Sequence, residues 1–295
     1  MHRIDDDAIR ESSGLVRSRV HEGVFWTHND SGDLPRIFAI DREGHRLAEY
    51  AIEGAQHRDW EDIAVDDRGH LYIADVGNNA NTRRDLAVYV VAEPSDPRRS
   101  GVIPVEATLR FRYAEQRAFP DDDDFNYDSE AVLYWDGALF LFTKHRSDTR
   151  TRLYRLPVEG AAGEEEVALE RLAEIDLGGS TSRLLGNTTG ADISPDGRWV
   201  ALLTYRCVYL YERHGPMPWP SGPVARILLD PRRTRQVEGV AWDDGALLIG
   251  NEQRRLFRIA DPFAPWLWRY PPGEDPTAAA PAPEGVPLRA GSDSP

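Results

Sequence analysis

The 295-residue chain contains a single cysteine, Cys207, so no intrachain disulfide can form and no thiolate metal cluster can be built. At the head of the run Val208-Tyr209-Leu210-Tyr211, that cysteine reads as a sheet residue and not as a nucleophile. No apolar run approaches the ~20 residues of a membrane span, and residues 1–7 have no secretory-leader character. The expected location of the chain as given is cytoplasmic, or secreted or periplasmic if a leader has been removed. Basic residues are the minority, 35 against 50 acidic, for a formal net charge of −15. That balance repels phosphate backbones and anionic membranes and attracts cations. Nucleic acid and membrane are thereby excluded as expected partners, which leaves a small-molecule substrate or a cationic ligand; a monomer is the default. Also missing are a Gly-x-Ser-x-Gly elbow, a Gly-x-Gly-x-x-Gly turn, a P-loop, an EF-hand loop and a helical His-x-x-x-His pair. No long apolar stripe of period 3.6 is present either, although Glu, Ala and Leu leave a helical alternative open over residues 164–175.

What is present is one phrase, used five times. Its clearest copy is Asp59-Trp60-Glu61-Asp62-Ile63-Ala64-Val65, a polar turn, and Leu71-Tyr72-Ile73-Ala74-Asp75. The other copies begin near Ser13, Glu130, Ala191 and Glu238, and turn at Asp136-Gly137, Asp196-Gly197 and Asp244-Gly245 where an Asp-Gly pair is used. Asp-Gly between apolar alternating runs is the strongest short-range hairpin signal. Each hairpin is followed by a third aromatic and β-branched run and by a fourth that alternates charged with apolar residues. A gradient from buried to half-exposed strands is that of a four-stranded propeller blade. The expected fold is all-β, a single β-propeller of antiparallel four-stranded blades over residues 1–270, five-bladed with six as the alternative. Residues Arg3 to Ile9 are expected to add a strand to the last blade and close the ring, and the Pro-, Ala- and Gly-rich residues 271–295 read as a disordered tail.

Aligning the first strands puts Ser13, Glu61, Glu130, Ala191 and Glu238 in register, with Asp59, Asp62, Asp128 and Asp192 close by. Inner strands of a propeller surround its axis, so Glu61, Glu130 and Glu238 converge on one mouth. Facing carboxylates require a cation, shared protons or hydrogen-bond donors. Ca²⁺ suits an all-oxygen set, with another divalent metal possible, and Glu61, Glu130, Glu238 and Asp75 are its candidate ligands. The other reading makes these acids staples that accept neighbouring backbone N–H groups. A second register, at the ends of the second strands, holds His28, Asp75, Thr143, Thr204 and Asn251, with Asn29, Lys144, Tyr205 and Glu252 one residue on. His28 is the candidate general base, with Asp30 beside it and Lys144 to orient an anionic group. Asn29, Asp62, Asp192, Tyr205, Arg206, Asn251 and Glu252 are the candidate substrate contacts. Trp26, Trp60, Trp135 and Trp242 near the mouth offer surfaces for stacking.

The phrases Glu11-Ser12-Ser13-Gly14-Leu15, Trp26-Thr27-His28-Asn29-Asp30-Ser31-Gly32-Asp33, Asp59-Trp60-Glu61-Asp62-Ile63-Ala64 and Ala74-Asp75-Val76-Gly77-Asn78-Asn79 resemble those of a group of bacterial β-propeller proteins. More distantly, the blade-opening Glu-Gly and Glu-Asp phrases are similar to those of β-propeller phytases, esterase-like phytases and the gluconolactonase group of calcium-dependent hydrolases. That resemblance implies metal at the axial mouth and hydrolysis of a phosphate ester, carboxylic ester or lactone. Two departures stand out: those enzymes have six blades, and basic residues for a phosphate site are sparse here. A non-catalytic binding propeller is the alternative class, and a lyase or cyclase the third.

Overall fold

The computed structural model describes residues 1–264 apart from 122, 160–164, 178–185, 214 and 216–221. The turns explain the first level of structure. Asp136 and Gly137 both take positive φ (47° and 74°), as do Asp244 and Gly245 (49° and 83°). That backbone matches the right-handed twist of two paired strands, and Gly reaches it without strain.

The chain opens with a short strand, β1 (His2–Arg3), and then builds five sheets. The first is β2 (Ser12–Arg17), β3 (Phe25–Asn29), β4 (Arg36–Ile40) and β5 (Arg46–Glu53). The second uses β6 (Trp60–Val65), β7 (His70–Asp75), β8 (Ala87–Ala92) and, after β9 (Gly101–Pro104), β10 (Ala107–Tyr113). The third has β11 (Asp128–Trp135), β12 (Ala138–Lys144), β13 (Arg150–Pro157) and, after β14 (Val167–Leu169), β15 (Arg171–Asp176). The fourth has β16 (Thr188–Ile193), β17 (Trp199–Thr204), β18 (Cys207–Glu212) and β19 (Ala225–Leu228). A four-residue helix, α1 (Pro231–Thr234), leads to the fifth, β20 (Val237–Asp243), β21 (Ala246–Asn251) and β22 (Arg255–Ile259), whose outer strand is β1. The inner strands touch in the order β2, β6, β11, β16, β20 and back to β2. The protein is a five-bladed β-propeller, and the N-terminus closes it by pairing His2 with Leu256.

Five apolar clusters fill the spaces between neighbouring blades, for example Trp26, Ile37, Ile63 and Ile73 between the first and second. Burial of large side chains such as Phe38, Phe142 and Trp60, each worth about 1.5–3 kcal/mol, is what holds blade to blade. Two strands depart from the four-per-blade expectation. β9 leaves the second blade to pair in parallel with β5 of the first, and β14 leaves the third to pair with β10 of the second. Each covers an outer edge that would otherwise expose unpaired backbone. Residues 164–175, where a helix was the alternative, form strands wherever they are assigned to an element. The fourth run expected for the last blade, Trp266 to Tyr270, and the tail expected from 271 lie outside the described residues. Among those described, no helix is long and apolar enough to cross a membrane.

Candidate functional site

Each inner strand carries an irregularity at the same place. Pairing skips one residue at Glu61, Glu130, Thr189 and Glu238, and two at Gly14 and Leu15. A bulge re-aims the extra side chain out of the alternation of its strand. Here it gathers the three glutamates, 2–6% exposed, around the axis. The expected register is corrected in two blades: the fourth contributes Thr189 and not Ala191, and the first contributes Gly14 and not Ser13. Gly14 has φ +64°, and a Cβ there would lie 2.7 Å from His28 Nε2, so the imidazole fills the space that a first-blade side chain would need. The second register is as read from the sequence. His28, Asp75, Thr143, Thr204 and Asn251 sit opposite Ser13, Trp60, Ser129, Thr188 and Val237.

The acids divide into two kinds. Asp62 and Asp192, candidate substrate contacts by sequence, are staples. Asp62 Oδ2 accepts the backbone N–H of Val132 at 2.9 Å and of Ala191 at 3.2 Å, and Oδ1 accepts that of Ile63. One carboxylate of the second blade thus holds the third and the fourth. Asp192 accepts from Trp242 of the fifth at 2.7 Å and from Ile193. Ser13 donates to the Glu61 carbonyl at 2.8 Å, linking the first blade to the second.

The second kind has carboxylates left over. Asp30, Asp59 and Glu61 each offer an oxygen within 4.8 Å of the others, and so do Glu61, Asp128 and Glu130. Gly77 leaves room for this, since a Cβ there would come within 2.1 Å of Glu61 Oε1 and 2.5 Å of Asp59. Burial, with the charge of Glu130 next in weight, pushes Glu61 well above the usual carboxylate range. Burial, then Asp128 and Asp30, raises Asp59 to about 6, and burial raises Glu238 to about 8. Three cations answer part of this charge. Lys144 Nζ lies 2.6 Å from Glu130 Oε2, Arg146 reaches Asp128 at 2.5 Å, and Arg83 reaches Asp75 at 2.9 Å. Burial alone would lower the Lys144 pKa, but Glu130, Tyr205 and Glu238 outweigh it and hold the ammonium charged. Tyr205 donates to Glu238 Oε1 at 3.0 Å, and Glu252 accepts from Gln236 at 2.8 Å and from Gln253.

Several sequence candidates are engaged elsewhere. Asp75 Oδ1 also accepts the Asp59 N–H at 3.0 Å, so that oxygen is shared between backbone and Arg83. Asn29 accepts from Arg10 and Glu11 and donates to Ala8 and Asp33. Asn251 donates to the Thr234 carbonyl and accepts from Arg255. Both amides pin loops. Arg206 is exposed in the β17–β18 turn. Of the four tryptophans expected near the mouth, Trp26, Trp60 and Trp242 are buried, and Trp135 and Trp242 lie towards the hairpin ends of β11 and β20, away from the bulges. Cys207 is buried and its thiol is pushed up to about 12 by that burial, an inert sheet position.

His28 is corrected as a general base. Its ring is wholly buried, edge-on to Trp60, with Nδ1 on the Asn29 carbonyl at 2.9 Å and Nε2 against the backbone of Gly14 and Asp62. Desolvation lowers its pKa to about 4 from 6.5. Between those values the unfolded chain binds a proton that the native ring refuses. The His28 contribution is therefore complete above pH 6.5 and lost as pH falls towards 4. From pH 7 to 5 that loss is about 2 kcal/mol. Urea unfolding at the two pH values is expected to show it, with a smaller difference in His28→Leu; equal pH dependence in both proteins would refute the assignment.

Two contributors escaped sequence reasoning, Arg83 and Arg146. A signal for the site was nevertheless present, because Lys144 is the single lysine among 35 basic residues. In a chain that otherwise uses arginine, a compact ammonium on a flexible stem marks a position where the planar guanidinium fork does not serve.

No protein-family profile matches the chain, and no curated protein does. Among solved structures it is similar to a chain in a nidogen/laminin complex, at 13% identity and a TM-score of 0.45, covering 82% of this chain and 73% of that one. It is also similar to a functionally unknown protein from Desulfotomaculum acetoxidans, at 13% identity and a TM-score of 0.40, covering 84% and 71%. The architecture stands on the strands and their pairing.

Proposed function

We propose that the protein is a metal-dependent hydrolase acting on a small ester or lactone at the axial mouth, with Ca²⁺ or another divalent ion held by Asp30, Asp59 and Glu61. The observation that carries this is the convergence of those three oxygens within 4.8 Å, with no hydrogen-bonded ion-pair partner for any of the three among the described residues. An all-carboxylate set with one wall open to solvent suits a hard cation. Glu130, a sequence candidate for the same ion, has Lys144 instead, and Glu238 has Tyr205. When bound, a divalent ion supplies polarisation of the scissile bond and a lowered pKa for an attacking water. Lys144 orients the oxygen on which negative charge develops, and Glu130 holds Lys144 in place. The likeness of the acidic phrases to gluconolactonase-type hydrolases supports the same reading. The surplus of carboxylates favours one other, a binding propeller that grips a cationic ligand.

The test is a thermal melt with chelator and then with Ca²⁺, followed by turnover on phosphate esters, aryl esters and lactones. At a hundredfold excess over Kd, binding adds about 2.7 kcal/mol, or ~5–10 °C in Tm for a chain of this size. Asp59→Asn and Glu61→Gln are expected to abolish that shift and the turnover. A metal-free protein with no Ca²⁺ response and no metal-dependent turnover would overturn the hydrolase and leave the binding reading.

A further inference from the structure

The mouth is not symmetrical in charge. Eight carboxylates gather there: Asp30, Asp59, Glu61, Asp75, Asp128, Glu130, Glu238 and Glu252. Arg83, Arg146 and Lys144 offset three of them, which leaves five. A divalent ion on Asp30, Asp59 and Glu61 offsets two more. Of the three that remain, one belongs to that trio and two sit on the fifth blade, where Glu238 accepts from Tyr205 and Glu252 from Gln236 and Gln253, with no cationic partner for either among the described residues.

A second observation lies beside that pair. Two atoms of the bulge register have no hydrogen-bond partner although their residues are at most 2% exposed: Glu130 Oε1 and Thr189 Oγ1. The third, fourth and fifth blades supply Glu130, Thr189 and Glu238 from equivalent positions, so Thr189 stands between the two glutamates in ring order. Acceptors buried without a partner destabilise the fold that holds them, so a ligand that supplies donors is favoured there. An alkylammonium group carries three N–H donors and one positive charge, which matches both the acceptors and the unbalanced charge. A phosphate monoester dianion matches neither, because it brings acceptors and negative charge to a region already rich in both.

We propose that Glu238 and Glu252, with Thr189 and the free oxygen of Glu130, form a subsite for an alkylammonium group. The substrate of the reaction proposed above is then an amine-bearing ester or lactone, and not a phosphate monoester. The inference rests on the hydrolase reading for the word substrate, but the binding subsite is testable without turnover.

The single lysine supplies the probe. Protein labelled with ¹³C at lysine Cε gives one signal, from Lys144, whose nearest charges include Glu130 and Glu238. Titration of the full chain with n-butylammonium chloride, in saturating Ca²⁺, is expected to move that signal saturably. Glu252→Gln and Glu238→Gln should each weaken the apparent affinity at least tenfold, and Asp67→Asn, which removes an exposed acid in the β6–β7 turn at the far end of those strands, should leave it within twofold. Glu252 is the more exposed of the two, so its variant retains the buried ring if Glu238→Gln does not fold. 1-Butanol and NaCl at the same concentrations should leave the signal in place. The subsite is overturned if butylammonium produces no saturable change, if NaCl reproduces it, or if Ca²⁺ displaces it competitively. Saturable binding in a protein that fails to bind Ca²⁺ supports the subsite and overturns the metal reading alone.

Discussion

Asp62→Ala is expected to destabilise the propeller by about 4 kcal/mol, the sum of charge-assisted hydrogen bonds lost and buried N–H groups left unmet. The reason is where those N–H groups belong. Val132 lies on β11, Ala191 on β16, and both donate to one oxygen of a side chain on β6. Deleting the carboxylate removes a direct polar link among three inner strands, in a place where Asp62 is 1% exposed and its donors are left unmet. Burial pushes the Asp62 carboxyl well above its usual range even against the bonds from Val132, Ile63 and Ala191. Asp62→Asn, which keeps an acceptor oxygen, is therefore expected to cost about 1–2 kcal/mol. Equilibrium urea unfolding measures both. A loss below 1 kcal/mol for Asp62→Ala would mean that apolar packing between blades suffices and the staple reading is wrong.

The contrast between Asp62 and its neighbour Glu61 shows what the sequence does and does not disclose. Hairpins, blade count and the polar ends of the second strands were legible, because Asp-Gly turns and two-residue alternation are local signals. Adjacent acids with opposite roles were not. Glu61 faces the axis only because a bulge falls on it, and a bulge is a property of two paired strands. The fourth blade shows the same limit. Ala191-Asp192-Ile193 imitates Glu61-Asp62-Ile63 in sequence, yet pairing places the bulge at Thr189, so Gly190 corresponds to Asp62, and Asp192 reaches Trp242 from a different level of the channel. Likewise the edges that β9 and β14 cover belong to strands of earlier blades, β5 and β10, and no local signal in their own sequence names those partners. His28 illustrates a third case. Residue type made it a base, and its surroundings, Gly14 on one side and Trp60 on the other, make it a buried spacer.

Lys144→Met is expected to cost about 3–5 kcal/mol, because it leaves Glu130 as an uncompensated buried charge. Asp128 and Glu238 are among the charges that act on Glu130, and Glu130 in turn acts on Glu61, so the groups around it add negative charge and do not replace the ammonium. Arg146 is 3.9 Å from Glu130 Oε1 but is committed to Asp128 at 2.5 Å. Adding Glu130→Gln removes the stranded charge, and the double variant should recover to within about 1 kcal/mol of the parent, as pairs replaced together by neutral groups commonly do. Lys144→Arg should not rescue, since a planar fork in place of a compact ammonium must displace Tyr205, whose ring lies 5.7 Å from Nζ. The cycle separates structure from chemistry. If the pair serves only to neutralise the ring, the stable double variant keeps both its Ca²⁺ response and its turnover. If Lys144 orients the reacting group, the double variant keeps the Ca²⁺ response, which depends on Asp30, Asp59 and Glu61, and loses turnover by a hundredfold or more, about the 2.7 kcal/mol expected when one preorganised charge at a developing oxyanion is removed.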